Sequence, residues 1–371
     1  MRTEQSTRSA AFSAAAVDEA PPPPERHRSF LHYALKPRFK THHWEGSAVE
    51  WCFGLPVTLR RRPYFTYSVM VINCTMMIVE FHANGWQLEP LGRNWSVGVA
   101  PATLVRLGAK QSALILQGEW WRLLAASWLH AGVVHLLLNV GQLWLIGAPL
   151  ERAYGWYRVG PCYLLSGLYG VAASVVLLPG VVSVGASASV FGLLGQFWAE
   201  LCVNYLAVTG NLRGAAVGQL VSFTILSIIC GLTPVVDNFM HMIGLATGFF
   251  FGLATQVRAV DPLKRERRAT RSPGRPSIIP PTVNKKQKIM RGVGVAGSAV
   301  MALIFIVVAA QLSVETCAPR HACEGCRWFN CVPIDALWSC SVFELTLDEV
   351  MGLPAECLPP APPPNATNSS L

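Results

Sequence analysis

The sequence predicts an all-α protein that crosses a lipid bilayer several times. Of its 371 residues 52% are hydrophobic and only 14% are charged, which is too apolar and too weakly charged for an ordinary soluble domain. The apolar residues gather into seven stretches, 65–81, 123–146, 159–178, 186–206, 215–232, 238–257 and 293–314. Each approaches the roughly 17–25 residues that a helix needs to span a hydrocarbon core of about 30 Å. Basic residues are spread unevenly around these stretches. With residues 1–62 on the cytoplasmic side and the spans alternating, 10 of the 30 lysines and arginines fall in the N-terminal arm and 11 in 258–291, against 4 in 82–122 and 2 in the C-terminal tail. That bias predicts a cytoplasmic N-terminus and a lumenal or extracellular C-terminus. The net charge of +9 then reads as a topology signal and an attraction to anionic lipid, with no nucleic-acid partner implied.

Residues 1–62 are polar, carry "PPPP" at 21–24 and are expected to form a disordered basic cytoplasmic arm. The opening "MRTEQSTRSAAFSAAA" has no apolar core long enough for a secretory signal. "RRRP" at 60–63 closes the arm and anchors the first span. Residues 63–257 hold six spans. Between the first two, residues 82–122 carry Trp86, Trp95, Trp120 and Trp121, a density that suits the membrane interface, and a loop of this length should bury little core of its own. Residues 258–291, with "KRERRATRSPGRP", read as a basic cytoplasmic linker. A seventh span, 292–314, leads to a tail, 315–371.

That tail holds Cys317, Cys323, Cys326, Cys331, Cys340 and Cys357. An even cluster on the oxidising side of a membrane predicts disulfides, with connectivity left open by the spacing. "CEGC" at 323–326 also has zinc-ligand spacing, but the predicted topology favours disulfides. "NAT" at 365 and "NSS" at 368 are glycosylation acceptors if the tail is lumenal.

Ionisable groups at membrane depth are costly, so histidines inside spans are functional candidates. "HAGVVHLLLN" places His130, His135 and Asn139 at the start of the second predicted span, and "DNFMHMIGLATGFFFG" places His241 in the sixth. At about 100° per residue His135 and Asn139 share a face, whereas His130 is turned away. His241, Gly244, Gly248 and Gly252 form one stripe that lets a neighbouring helix approach at backbone distance. The fourth span supplies a fitting partner in "GASASVFG", with Ser187 in its first turn and Phe191 one turn further. Unpaired N–H groups and the positive end of the dipole at a helix start suit an oxyanion. A serine becomes a nucleophile when a base comes within hydrogen-bonding reach, and His241 is expected at the same depth. Asp237 could orient that imidazole, but capping the sixth span is the favoured role. Ser189 points elsewhere and reads as packing.

These residues resemble the rhomboid intramembrane serine proteases, over about 64–257. "GEWWRLLAASWLHAGVVHLLLN" is similar to the family's Trp-Arg signature followed by the His and Asn of its second helix, "LERAYG" to the turn after it, "VGASASVFGLLG" to the GxSG nucleophile motif that begins at Gly185, and "VDNFMHMIGLATG" to the HxxGxxxG of the sixth helix. The resemblance implies a six-helix bundle plus a C-terminal seventh helix, with Ser187 as nucleophile and His241 as general base. It implies an oxyanion hole from His135, Asn139 and the backbone N–H of Ser187. Phe191 is implied to stack on the catalytic imidazole, and Trp121 and Arg122 to be structural. No metal or cofactor is implied. Two positions depart from the pattern: Ala188 follows the serine where glycine is usual, and Met240 precedes the histidine. One methyl at a close helix contact can push helices apart.

The expected function is a serine endopeptidase that cleaves the membrane segment of single-span proteins, in the secretory pathway, with His130, His135 and Asn139 keeping a cavity wet. The rival is a rhomboid-fold protein that binds membrane clients without cutting them. A transporter would want inverted repeats and several mid-bilayer charges, and neither stands in the sequence. Substrate identity, organelle and oligomeric state stay open.

Overall fold

The computed structural model describes residues 62–204, 210–231, 236–255 and 285–314. The arm, most of the basic linker, and the tail with its cysteines and sequons lie outside the described residues. Regular structure among the described residues is helical: α1 (Tyr64–Ala83), α2 (Pro101–Leu107), α3 (Ser112–Leu116), α4 (Arg122–Ala125), α5 (Val133–Tyr154), α6 (Trp156–Leu177), α7 (Ser187–Asn204), α8 (Gly210–Cys230), α9 (Asn238–Thr255) and α10 (Lys285–Val314). Each of the seven predicted spans overlaps a helix. Among the described residues α1, α5, α6 and the Lys288–Ala310 part of α10 are long and apolar enough to cross a membrane, and Ser187–Val203 and Leu220–Ile229 are shorter apolar stretches.

Several boundaries differ from expectation. The second span begins at Val133 rather than 123, because residues 122–128 form a separate short helix and a 3-10 turn and Leu129 is extended at φ −89°, ψ 157°. The seventh helix begins at Lys285, so the end of the predicted linker is helical. Within α5 the turn Leu143–Gly147 is π-helical. Pro149 follows it and has no N–H to give the carbonyl four residues back, which loosens the ladder there.

Helix α1 shows how these helices suit a bilayer. Its inward stripe is Thr66, Val69, Asn73, Met77 and Glu80, while Val71, Ile72, Ile78 and Val79 are among its outward residues. Polar groups turn in and aliphatic groups turn out, the order that an apolar solvent selects. Its first turn is capped from α5: Glu151 accepts from the N–H groups of Phe65 (3.0 Å) and Thr66 (2.8 Å) and from the Thr66 hydroxyl (2.7 Å). A carboxylate there satisfies orphan donors at the positive end of the dipole.

The closest helix contact is α7 on α9. A Cβ at Gly244 would collide with the Ala188 carbonyl, one at Gly248 with the Gly192 carbonyl, and one at Gly195 with the Leu245 carbonyl. Backbones therefore touch, as the glycine stripe predicts. Helix α10 lies on the far side of α9: a Cβ at Gly294 would strike Ala254 N, and one at Gly297 the Phe250 ring. Phe305 of α10 stacks on Tyr169 of α6 at 4.8 Å between centroids.

The loop 84–132 is more than a surface layer. Val99, Leu104, Val105 and Ala109 pack with Leu129, Ala131, Val182 and Val184 into an apolar cluster of their own. The loop buries this core by borrowing a second loop, 178–186, to which it is joined by paired backbone bonds between Lys110 and Ser183 (3.0 and 3.2 Å). Trp86 and Trp121 are exposed, and Trp95 is half-buried.

Candidate active site

Ser187, His135 and His241 each sit in the first helical turn or so of a different helix, α7, α5 and α9. In the predicted topology all three helices start at the same face, so three positive helix ends converge there. Each start is built differently. For α5 the N–H groups of Val133, Val134 and His135 are taken by Val97 O (3.1 Å), Ser96 O (3.1 Å) and Ser96 Oγ (3.0 Å) of the preceding loop. That loop segment is itself held by Asn94 Nδ2 donating to Ala131 O (2.7 Å). For α9, Asp237 Oδ1 accepts from Met240 N at 3.1 Å, a cap on the third helical residue. Its Oδ2 accepts from the Ser174 and Ser183 hydroxyls, so the carboxylate caps the helix and makes no bond to the His241 ring.

For α7 the approach is set by Gly185, whose φ of +127° only glycine holds without strain. A Cβ there would lie 2.7 Å from His135 Cε1, 3.0 Å from His135 Nε2 and 3.6 Å from Ser187 Oγ. His135 and Ser187 therefore face each other across the space the missing side chain leaves. Ala131 N donates to His135 Nδ1 (3.4 Å), so in neutral His135 the ring proton sits on Nε2. That Nε2–H is buried, has no partner, and stands over Gly185 beside the serine. Asn139, one turn below on the same face, donates Nδ2 to His135 O (3.0 Å), which leaves the second amide proton for another acceptor.

His241 is buried and stacks on Phe191, with centroids 4.0 Å apart and planes 11° from parallel. Phe191 lies one turn along α7 from Ser187, so the stacked imidazole lies against the face of α7 that carries the serine. Both nitrogens of His241 lack a hydrogen-bond partner, so the bond to Ser187 is not closed. Catalytic hydrogen bonds of unliganded sites often tighten only with substrate. Ser187 itself is half-buried, the most accessible of the three.

The two departures from the expected pattern find a structural answer. The Ala188 methyl faces Gly170 of α6, where an added Cβ would be 2.8 Å from it and 2.9 Å from Met240 O. Ala188 and Met240 belong to one buried cluster with Val171, Ala172 and Val175. The extra methyl is accommodated by a glycine on a third helix.

His130 differs from expectation as well. It precedes α5, so helical arithmetic does not apply, and its ring stands edge-on to His135 at 5.4 Å. Its backbone N–H donates to Glu80 Oε1 (2.9 Å), and its ring is fully buried. The buried Arg122 guanidinium donates to Val105 O (2.6 Å) and Ala109 O (3.1 Å), pairs with Glu119 (2.6 Å) and covers the exposed Trp121 ring at 4.8 Å. Sequence reasoning passed over Glu80, Lys110 and Gly170. A lone carboxylate inside a span, Glu80, was the available signal for one of them; the other two are recognisable only from their neighbours. Among the described residues no cluster of three metal-binding side chains occurs.

Comparison with known proteins agrees with this architecture. The Rhomboid domain matches residues 117–257, from just before α4 to the end of α9. RHOMBOID-like protein 4 of Arabidopsis thaliana is 33% identical over 281 residues, covering 75% of this chain and 68% of the relative. The chain belongs to the rhomboid family. The family resemblance takes in more than one behaviour: the rhomboid protease GluP of Bacillus subtilis is 34% identical over 198 residues, 52% of this chain and 35% of GluP. The inactive RHOMBOID-like protein 8 of Arabidopsis is 28% identical over 268 residues, 69% of this chain and 72% of the relative. Rhomboid membership therefore supports either an intramembrane protease or an inactive relative, and the site has to separate the two.

Proposed function

We propose that this rhomboid is an intramembrane serine endopeptidase that cuts the membrane segment of single-span proteins. The observation that carries the reading is the convergence of Ser187 and an unpartnered His135 donor over Gly185, with His241 stacked on Phe191 of the same helix. Ser187 Oγ attacks the scissile carbonyl carbon while His241 accepts the hydroxyl proton, giving a tetrahedral oxyanion. His135 Nε2–H, the free Asn139 proton and the Ser187 N–H, unpaired at the first position of α7, are the donors for that oxygen. Collapse breaks the C–N bond, His241 returns the proton to the departing amine, and an acyl-serine remains. Water, deprotonated by His241, then hydrolyses the ester and restores the serine. A substrate helix must unwind locally to present its carbonyl, so helix-destabilised segments near the outer face are the expected substrates.

The client-binding reading would be favoured by helices held apart at Ala188. The direction of that methyl toward Gly170 supports the protease reading over a dyad loosened by Ala188. The same proposal places the N-terminus in the cytoplasm and the tail in the lumen or outside the cell, in the secretory pathway, on the strength of the basic-residue bias.

The test is cleavage in liposomes of a helix-destabilised single-span substrate by wild type, Ser187→Ala and His241→Ala. Product from the wild type alone, with either substitution costing about 10³-fold or more, is the expected result. No product from folded wild type, while another rhomboid cuts the same substrate, would turn the assignment to client binding.

A further inference from the structure

Beside the site lies a buried charge that the proposed chemistry does not use. Lys110 is fully buried in the outer loop. Its ammonium donates to Leu178 O (2.5 Å) and Val181 O (2.9 Å), just past the C-terminus of α6, where a cation suits the dipole. Ser183 ties it to Asp237: the Ser183 backbone pairs with that of Lys110, and its hydroxyl donates to Asp237 Oδ2 at 2.9 Å. Ser174, in the last turn of α6, donates to the same oxygen. Asp237 in turn caps α9 one turn before His241, whose N–H bonds to Asp237 O (3.2 Å).

We propose that Lys110 and Asp237 form a charge-compensated clasp that positions the start of α9 and sets the electrostatic surroundings of His241. Both act through other groups and touch no substrate, so they are positioning residues. The clasp rests on the protease reading above. It joins three separate pieces of chain: the outer loop, the segment after α6 and the helix that carries the base. Burial lowers the Lys110 ammonium to about 8, against the opposing pull of Asp237. The Lys110 ammonium is therefore charged below about pH 8, and the comparison belongs there. Among the described residues, His135 on α5 acts on His241, with the His130 ring edge-on to it, while Arg122 pairs with Glu119 and donates to Ala109 O, next to Lys110.

A signed signature follows from Coulomb's law. Lys110→Met leaves the Asp237 charge uncompensated near His241 and favours the imidazolium. Asp237→Asn leaves the ammonium uncompensated and disfavours it. The readout is the rate at which a fluorophosphonate labels Ser187, measured from pH 4 to 8 in detergent-solubilised full-length protein, with Ser187→Ala as the blank and thermal unfolding as the check on folding. The acid limb should move to higher pH in Lys110→Met and to lower pH in Asp237→Asn, each by on the order of 0.5–1 pH unit, and return to the wild-type position in the double variant. If Lys110→Met does not fold, Lys110→Gln supplies a neutral side chain that keeps a donor. Superposed acid limbs in all variants, whatever the rates, would overturn the clasp and leave the protease reading standing. A wild type that is folded but never labelled would overturn both.

Discussion

The helix pair α7 and α9 and the outer layer formed by residues 84–132 with 178–186 are held together by opposite means. Between α7 and α9 the contact is almost all backbone and small side chain, glycine against carbonyl at Gly244, Gly248 and Gly195. In the outer layer the contacts are long polar reaches: Arg122 to two carbonyls, Lys110 to two more, Asn94 to Ala131, Glu80 to the His130 N–H. The difference follows from the solvent. Inside a bilayer apolar side chains gain nothing by leaving lipid, so close packing and van der Waals contact must hold helices together. At the end of the bundle where α5, α7 and α9 begin, irregular backbone has to find hydrogen-bond partners, and buried cations supply them. Ser187 and His241 lie where the two regimes meet, in helix starts whose spacing is set by glycines and whose ends are set by polar caps.

Breaking the inner contact should have the largest effect. Gly248→Leu drives a side chain into the Gly192 backbone. It is expected to part α7 from α9, to lower cleavage at least about 100-fold because sub-ångström displacement of reacting groups is costly, and to destabilise the bundle by ~2 kcal/mol or more. Cleavage assays and thermal unfolding measure the two separately. A variant that stayed active would mean that the glycine stripe is not what sets the dyad.

Breaking the outer layer should cost stability before chemistry. Arg122→Ala removes the donors of Val105 O and Ala109 O and strands Glu119. A loss of roughly 2–4 kcal/mol is expected, seen as a lower melting temperature, with labelling of Ser187 in the surviving folded fraction changed only a few-fold. Equal losses of stability and of intrinsic labelling would show that the outer layer and the dyad are one cooperative unit.

The smallest effect sharpens the comparison. Ala188→Gly deletes a buried methyl that faces Gly170, so it should destabilise by about 1 kcal/mol and leave activity within about threefold. A gain of tenfold or more on making this change would mean that the methyl does hold the dyad open.

Much of the inner region was legible in the chain. The 3.6-residue period puts Ser187 and Phe191 on one face, and His241 with Gly244, Gly248 and Gly252 on another, and small residues on both sides predict contact. The stacking of Phe191 on His241 agrees with that reading. The outer region was not legible in the same way. His130 was assigned to a helix that begins only at Val133, because an apolar run does not show where loop residues 94–97 will take its first N–H groups.

By itself the sequence determined that seven apolar stretches carry helix and which residue types stand where α7 and α9 begin, since composition and period are local properties. Tertiary structure alone decided that Lys110 meets Asp237 through Ser183, that Ala188 turns toward Gly170, and that Glu80 holds the His130 segment. Those pairs join residues far apart in the chain, and helical periodicity assigns a residue to a face without naming the partner that the face will meet.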